Sequence, residues 1–507
     1  RAAGFFALGI VRGSGHADTV AAVITTSGTA VANLFPAVIE ADEGAIPLLL
    51  LTADRPPELR GAGANQAIDQ VKIFGDKVRW FADISPPTDT AGEAEVWRST
   101  ICRALAYARG LRGAGSGPVH LNIGFREPLV PATDDGRTLA TPYVSPTAGR
   151  ADGAPFTVAA RRAAVEPSVI AVDGRTLVVA GSGASLESVE SALAAGCVVI
   201  AEGHSGCRIP GTISTAHHLL ASPAFHRLGR PDRAVVLGRA GLSRNLAALL
   251  DRLDLIVVSA TGWPDPSRRA IEMHSALRFR GGAVDRDWVE LWSRAEKVAR
   301  DSIDRQLDAR AEPTEPRVAR DVAAAVPPDG VLAVASSMPV RDLDWFAASG
   351  EGVPVVANRG ASGIDGFISL ALGAASRRRV VALAGDLSVL HDQSGLAVRP
   401  RPDAVFVVVN NGGGGIFSFL PQAQFPDHFE QLFATPSGID FADLAAMHDL
   451  EYAHITTAPR LTEAIAAAMA QGGVHLLEVR TDREANVRLH RDLTEAVVEA
   501  LDSLIER

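Results

Sequence analysis

Asp386 and Asn411 are spaced to hold a divalent cation and, through it, a diphosphate. Asp386 ends the apolar run Val380-Val381-Ala382-Leu383-Ala384-Gly385. Asn410-Asn411 ends a second run, Ala404-Val405-Phe406-Val407-Val408-Val409, and glycines 412–415 follow it. A carboxylate, an amide oxygen and a backbone carbonyl at Gly413 make a hard, oxygen-only donor set. Such a set suits Mg²⁺, which takes few protein ligands and completes its octahedron with waters and phosphate oxygens. Asp or Asn after a strand also starts turns and caps helices, and either residue alone would bear that reading. The pair at this spacing, with the glycines, is more specific.

Two buried strands must position the pair. In a parallel sheet both ligands emerge at the carboxyl edge, where α/β folds bind ligands, and the interval leaves room for one crossover segment. Strand and helix patterns alternate along all 507 residues, which predicts an α/β fold with parallel sheets; the length calls for more than one core. A first block carries a strand near 20–24, the turn Thr26-Ser27-Gly28-Thr29, a helix over 31–41 and a strand over 47–51. Residues 133–155, rich in Pro, Gly, Asp and Thr, read as a linker. A second block has strands near 177–180, 198–201, 234–237 and 255–259 and a charged helix over 288–310. Glu312-Pro313-Thr314-Glu315-Pro316 reads as the next boundary. The third block has a helix over 318–325 and strands near 331–335, 353–357, 380–384, 404–409 and 474–479. The expected domains are 1–132, 156–310 and 317–507.

Composition narrows the partners. The net charge of −10, with no basic stripe, argues against nucleic acid and against anionic membranes. The longest apolar runs are too short to span a bilayer. Nothing resembles a signal peptide; the chain starts without Met and reads as truncated. Cys102, Cys197 and Cys207 form neither a metal spacing nor a disulfide framework, which predicts a cytoplasmic protein. Cys197 reads as core packing. Gly181-Ser182-Gly183 lacks the third glycine of a dinucleotide fingerprint, Leu186 standing in its place, and reads as a tight turn. No glycine precedes any of the three lysines, so there is no Walker A loop.

The Gly385-Asp386…Asn410-Asn411 pattern resembles the thiamine diphosphate motif. The usual third residue of Gly-Asp-Gly is Leu387 here, which narrows the family. Three further stretches extend the resemblance: Thr25-Thr26-Ser27-Gly28-Thr29-Ala30-Val31-Ala32-Asn33-Leu34; Thr52-Ala53-Asp54-Arg55-Pro56-Pro57-Glu58-Leu59 with Gly63-Ala64-Asn65-Gln66; and Asn358-Arg359-Gly360-Ala361-Ser362-Gly363-Ile364-Asp365-Gly366. Over nearly its whole length the chain is similar to the 2-succinyl-5-enolpyruvyl-6-hydroxy-3-cyclohexene-1-carboxylate synthases of menaquinone biosynthesis. The resemblance implies three doubly wound parallel-sheet domains: pyrimidine-binding, central and diphosphate-binding. It implies a transferase that decarboxylates 2-oxoglutarate and adds the succinyl carbanion equivalent to isochorismate. The implied cofactors are thiamine diphosphate and Mg²⁺, with Mn²⁺ as a substitute, and the implied assembly is a homodimer at least, or a homotetramer.

Residue by residue, the resemblance makes Asp386, Asn411 and the Gly413 carbonyl the Mg²⁺ ligands. Thr29, Gly385, Leu387 and Ser388 would contact the cofactor. Ile364 would be the wedge that keeps it bent, and Ile416 and Phe417 an apolar wall. Both substrates are dicarboxylates, and Arg pairs with carboxylates through its planar fork. Ser337, Arg341 and Arg359 would hold carboxylates on the diphosphate side. Arg55, Asn65 and Gln66 would face the substrate from the first block, with Gln66, Arg341 and Arg359 acting in catalysis. Arg244 matches a basic substrate position. The family's activating glutamate would fall one residue before Arg1; Glu40 and Glu58 are candidates for it only if the resemblance misleads. Two other readings stay open: an acetolactate-synthase-like or 2-oxoacid decarboxylase activity, and a non-catalytic cofactor-binding subunit.

Overall fold

The computed structural model describes the chain apart from residues 17, 89, 114, 130–149, 151, 161–165, 351 and 507. Most of the expected linker, and the boundary at 132, lie outside the described residues. The chain divides into two compact units, Arg1–Ala164 with Gly360–Ser362, and Val165–Arg359 with Gly363–Arg507.

The first unit holds a four-stranded parallel sheet in the order Ala21–Thr25, Leu48–Asp54, Pro118–Gly124, Trp80–Ile84. Leu48, Leu49 and Leu50 are buried in succession, because a parallel sheet is covered on both faces. Trp80–Ile84, not among the strands expected from the sequence, has no fully buried residue. The helix expected over 31–41 is two helices, Thr29–Ala32 and Phe35–Glu43. Pro36 explains the break: it is at home in a first turn but would remove a hydrogen bond from a helix interior.

The second unit contains two larger sheets and a two-stranded ladder of Leu277–Arg280 with Ser168–Ala171. The five-stranded sheet runs Ala270–His274, Leu255–Val258, Arg233–Leu237, Thr176–Ala180, Val198–Ala201. Its topological switch point, between Thr176–Ala180 and Arg233–Leu237, is where a doubly wound sheet would take a ligand. Here that crevice is closed by backbone: Ser182 and Arg239 exchange hydrogen bonds of 2.7 and 2.9 Å. A Cβ on Gly181 would lie 2.0 Å from the Arg239 carbonyl oxygen. Gly181-Ser182-Gly183 is therefore a turn, as its incomplete fingerprint predicts.

The six-stranded sheet runs Val355–Val356, Val331–Val334, Val380–Gly385, Ala404–Asn410, Val474–Arg480, Glu451–His454, all parallel. Its switch point falls between Val331–Val334 and Val380–Gly385, and this crevice is open. A helix begins inside the segment expected to be a boundary near 312–316. Glu315 is the buried first residue of the helix Glu315–Ala325. No helix among the described residues is long and apolar enough to cross a membrane.

Candidate active site

At the open switch point, Gly385 pairs with Val409, so Asp386 and Asn411 leave neighbouring strands at one edge. A cleft of about 210 Å³ lies there. Gly385, Asp386, Leu387, Ser388, Asn411 and Gly413 line one part of it; Ser337, Ile364, Ile416 and Phe417 line another. Asp386 is buried, and both its oxygens are fixed: Oδ1 accepts from Leu387 N–H and Oδ2 from Gly413 N–H, each at 2.7 Å. The Leu387 amide is thus occupied by Asp386 itself. Burial pushes the Asp386 carboxyl above its ordinary range, against the pull of these amides.

The glycines are steric requirements. Gly413 has φ +136°, and a Cβ there would lie 2.1 Å from the Ala434 carbonyl oxygen. On Gly415 it would lie 2.5 Å from Asn411 Nδ2. The Gly413 carbonyl accepts from Gly415 N–H at 2.9 Å and keeps a second lone pair.

These residues fit a cation. Asn411 Oδ1 is buried with no hydrogen-bond partner, which is costly unless something outside the chain satisfies it. Among the described residues no group of three His, Cys, Asp or Glu could hold a metal. A hard ion carried by one carboxylate, an amide oxygen, a carbonyl and phosphate oxygens needs no such group.

A second cavity of about 630 Å³ shares Met338 and Ile416 with the cleft, so the two adjoin. Arg244 and Arg341 line it, with His217, Trp345 and Phe419 as an aromatic wall. Arg341 lies in the first turn of the helix Met338–Phe346 and donates to the Ser337 carbonyl at 2.7 Å. Its pKa is lowered by burial and then by the charges of Arg359 and Arg244. Neither Arg244 nor Arg341 has a carboxylate at ion-pair distance among the described residues. Two guanidinium groups on one cavity wall, Arg244 and Arg341, are a setting that suits an anion. Ser337 has φ +76°, a strained value for a residue with a side chain, at the start of the arginine-bearing helix.

Glu202 holds the loop that delivers Arg244. Its Oε1 accepts from Gly241 and Leu242 N–H at 2.9 and 2.8 Å. Burial, followed by repulsion from Asp344, pushes its carboxyl up to about 8. A carboxyl raised in the folded state contributes stability below its unfolded range near 4.5, and loses it as the pH rises through about 8. Glu202→Gln keeps the Oε1 acceptor and removes the titration. Its melting temperature relative to the parent should therefore climb between weakly acidic and weakly basic pH. A constant difference in paired melts would contradict this.

In the first unit, Gln66 is strapped over the turn after the first strand. Its Nε2 donates to Thr26 Oγ1 at 2.9 Å and to the Ser27 carbonyl at 3.0 Å, and its φ is +56°. Arg55 donates from Nε and Nη2 to the Asn65 carbonyl at 3.0 and 2.9 Å. Thr29 opens the short helix after Gly28. Arg55, Asn65, Gln66 and Thr29 thus share one edge of the first sheet. Gln70, which the sequence did not single out, ties that edge together. It accepts from Gly28 N–H at 2.8 Å and donates to the Ala53 carbonyl at 3.0 Å. Both Glu40 oxygens are occupied by Gly360 and Ala361 N–H at 2.8 Å, in the same unit, and exposed Glu58 pairs with Arg126. Burial pushes the Cys197 thiol up to about 12, consistent with core packing.

Comparison with known proteins agrees with this geometry. The family model for the C-terminal TPP binding domain of thiamine pyrophosphate enzymes matches residues 355–479, and that for the N-terminal TPP binding domain matches residues 1–73. The 2-succinyl-5-enolpyruvyl-6-hydroxy-3-cyclohexene-1-carboxylate synthase of Thermobifida fusca (strain YX) is 42% identical over 516 aligned residues, covering 99% of this chain and 90% of its own. That of Kineococcus radiotolerans is 43% identical, covering 96% of this chain and 87% of its own. The chain belongs to this synthase family. The Chloroflexus aurantiacus synthase, 40% identical over 99% of this chain and 89% of its own, is a more distant relative of the same name. As a member of the synthase family the chain is a thiamine diphosphate enzyme, and the 355–479 match contains Asp386, Asn411 and Gly413 together.

Glu315, which the sequence did not single out, also lines the cleft. Its Oε1 accepts from Asn411 Nδ2 at 3.0 Å and from Thr481 Oγ1 at 2.8 Å. Burial, then the nearby Asp342, pushes its carboxyl up to about 7. Thr-Glu-Pro before a helix pattern signals a helix start, but nothing local says that the glutamate turns inward.

Proposed function

We propose that this enzyme decarboxylates 2-oxoglutarate and adds the resulting succinyl carbanion equivalent to isochorismate, giving 2-succinyl-5-enolpyruvyl-6-hydroxy-3-cyclohexene-1-carboxylate. The observation that carries the substrate assignment is the arginine group at Arg244, Arg341 and Arg359. Its positive charge, with Arg244 and Arg341 lining a cavity that adjoins the cation cleft, suits a substrate with two carboxylates. Thiamine diphosphate, when bound, supplies the electron sink for loss of CO₂. Asp386, Asn411 and the Gly413 carbonyl hold Mg²⁺, and Gly385, Leu387 and Ser388 approach the diphosphate. Ile364, Ile416 and Phe417 exclude water from the reacting centre. Arg341 and Arg359 clamp the carboxylates of 2-oxoglutarate with Ser337, and Arg244 adds a further positive charge. Arg55, Asn65, Gln66 and Thr29 serve substrate and cofactor from the first sheet. The domains are 1–132, 156–310 and 317–507, and the enzyme acts in the cytoplasm as a dimer or tetramer.

Purified protein given thiamine diphosphate and Mg²⁺ should release CO₂ from 2-oxoglutarate. It should form the adduct only when isochorismate is also present. Equal turnover with pyruvate alone would overturn the substrate assignment in favour of an acetolactate-synthase-like activity. Cofactor binding without turnover of either acid would leave a binding subunit.

A further inference from the structure

An Asn side chain presents two ends of nearly equal shape, one an acceptor and the other a double donor. Only the oxygen end can ligate a cation; rotated by half a turn, Asn411 would offer two N–H groups to the same ion. Something in the protein must choose the end.

The choice is made behind the strand edge. Glu315 is 3% exposed and sits at the first position of its helix, followed by Pro316, whose fixed φ suits a first turn. Its Oε1 is an acceptor facing Asn411 at 3.0 Å, so the donor end of the amide turns toward it. Thr481 Oγ1 donates to the same oxygen at 2.8 Å and steadies it from the end of the strand Val474–Arg480. The Asn411 oxygen is left buried and unpartnered. Gly415 completes the restraint: a Cβ there would lie 2.5 Å from Asn411 Nδ2, so the amide rests against bare backbone. A flipped amide would set its oxygen against the Glu315 oxygen, acceptor against acceptor, and leave its nitrogen without this partner.

We propose that Glu315 is a positioning residue for the bound cation, fixing the Asn411 amide with its oxygen toward the cleft. The inference rests on the reading of Asn411 as a Mg²⁺ ligand. Glu315 itself does not touch the ion. Outer partners of metal ligands are typically worth 10–100-fold in metal affinity.

The decisive variant is Glu315→Gln. Glutamine keeps the shape, but its own amide can turn to suit either end of Asn411, so the choice is lost. Mg²⁺ titrated calorimetrically into protein with saturating thiamine diphosphate should bind the variant about tenfold more weakly. With enough Mg²⁺, kcat should return close to the parent value, since the reacting groups are untouched. In an Asn411→Ala background the same change should cost nothing further. Thr481→Val loosens the same oxygen while keeping the carboxylate, and should weaken Mg²⁺ in the same direction by a smaller factor. That keeps the inference testable if the Gln variant folds poorly.

Unchanged Mg²⁺ affinity in both single variants, beside a parent that binds Mg²⁺ with thiamine diphosphate, would overturn the role of Glu315 and leave the proposed function standing. A lowered kcat that excess Mg²⁺ does not restore would reduce Glu315 to a structural role. A parent that binds no Mg²⁺ with thiamine diphosphate would overturn both readings.

Discussion

Asp386→Ala should abolish turnover and weaken binding of Mg²⁺ with thiamine diphosphate by at least ~100-fold, the upper end of what even an indirect partner of a metal ligand is worth. The physical reason lies in how the side chain is held. Leu387 and Gly413 N–H each grip one oxygen at 2.7 Å, so the carboxylate is oriented before any ligand arrives. Asp386→Asn should not rescue. One of its two ends must then be an amide nitrogen facing a backbone N–H, donor against donor, and the negative charge is gone. Each change leaves at least one of the Leu387 and Gly413 amides without its acceptor, so the apo variants should melt below the parent. The diagnostic thermal pattern is an apo variant that gains nothing from added cofactor. A ligand at 1,000 times its Kd would give the parent about 4 kcal/mol. A variant that kept the ligand-induced shift would remove Asp386 from the cation site.

The reason Asp386 was legible in the sequence, while Glu315 was not, is geometric. Asp386 and Asn411 end apolar strands, and strand ends in a parallel sheet share one edge whatever the details of packing. Arg359 follows the strand Val355–Val356, whereas Arg341 lies in the first turn of the helix Met338–Phe346. Glu315 and Thr481 reach Asn411 from far along the chain, and only the packing of a helix start against a strand end brings them together. Gln70 is similar: it bridges the Gly28 turn and the strand Leu48–Asp54 from a segment with no regular element. The switch points make a matching contrast. Both larger sheets of the second unit have one, and at each a strand is followed by small residues, Gly181-Ser182-Gly183 in one and Ala335-Ser336-Ser337 in the other. Only tertiary structure reveals that one is closed by the Ser182–Arg239 bridge and the other left open. The apolar period over 31–41 runs across two helices because Pro36 starts the second of them.

Arg341→Ala should cost about 2–5 kcal/mol of transition-state stabilisation, the usual penalty for truncating one partner of a buried charge pair. That is at least ~30-fold in kcat/KM for 2-oxoglutarate. Arg341 is pressed by burial and by two like charges into a less basic state than a free arginine. Two carboxylates can engage this group at two points, whereas a monocarboxylate engages it at one. The loss should therefore fall more heavily on 2-oxoglutarate than on pyruvate, and the ratio of the two kcat/KM values should drop. Arg341→Lys should recover little. A lysine ammonium is a point charge that cannot present two parallel N–H donors to a carboxylate while also holding the Ser337 carbonyl. Paired melts of variant and parent separate this loss from a folding defect, since Arg341→Ala also removes the hydrogen bond to the Ser337 carbonyl. Mg²⁺ and thiamine diphosphate should bind as before, since Arg341 lines the adjoining cavity and not the cation cleft. An Arg341→Ala enzyme with an unchanged preference for 2-oxoglutarate over pyruvate would place the substrate carboxylates on other residues.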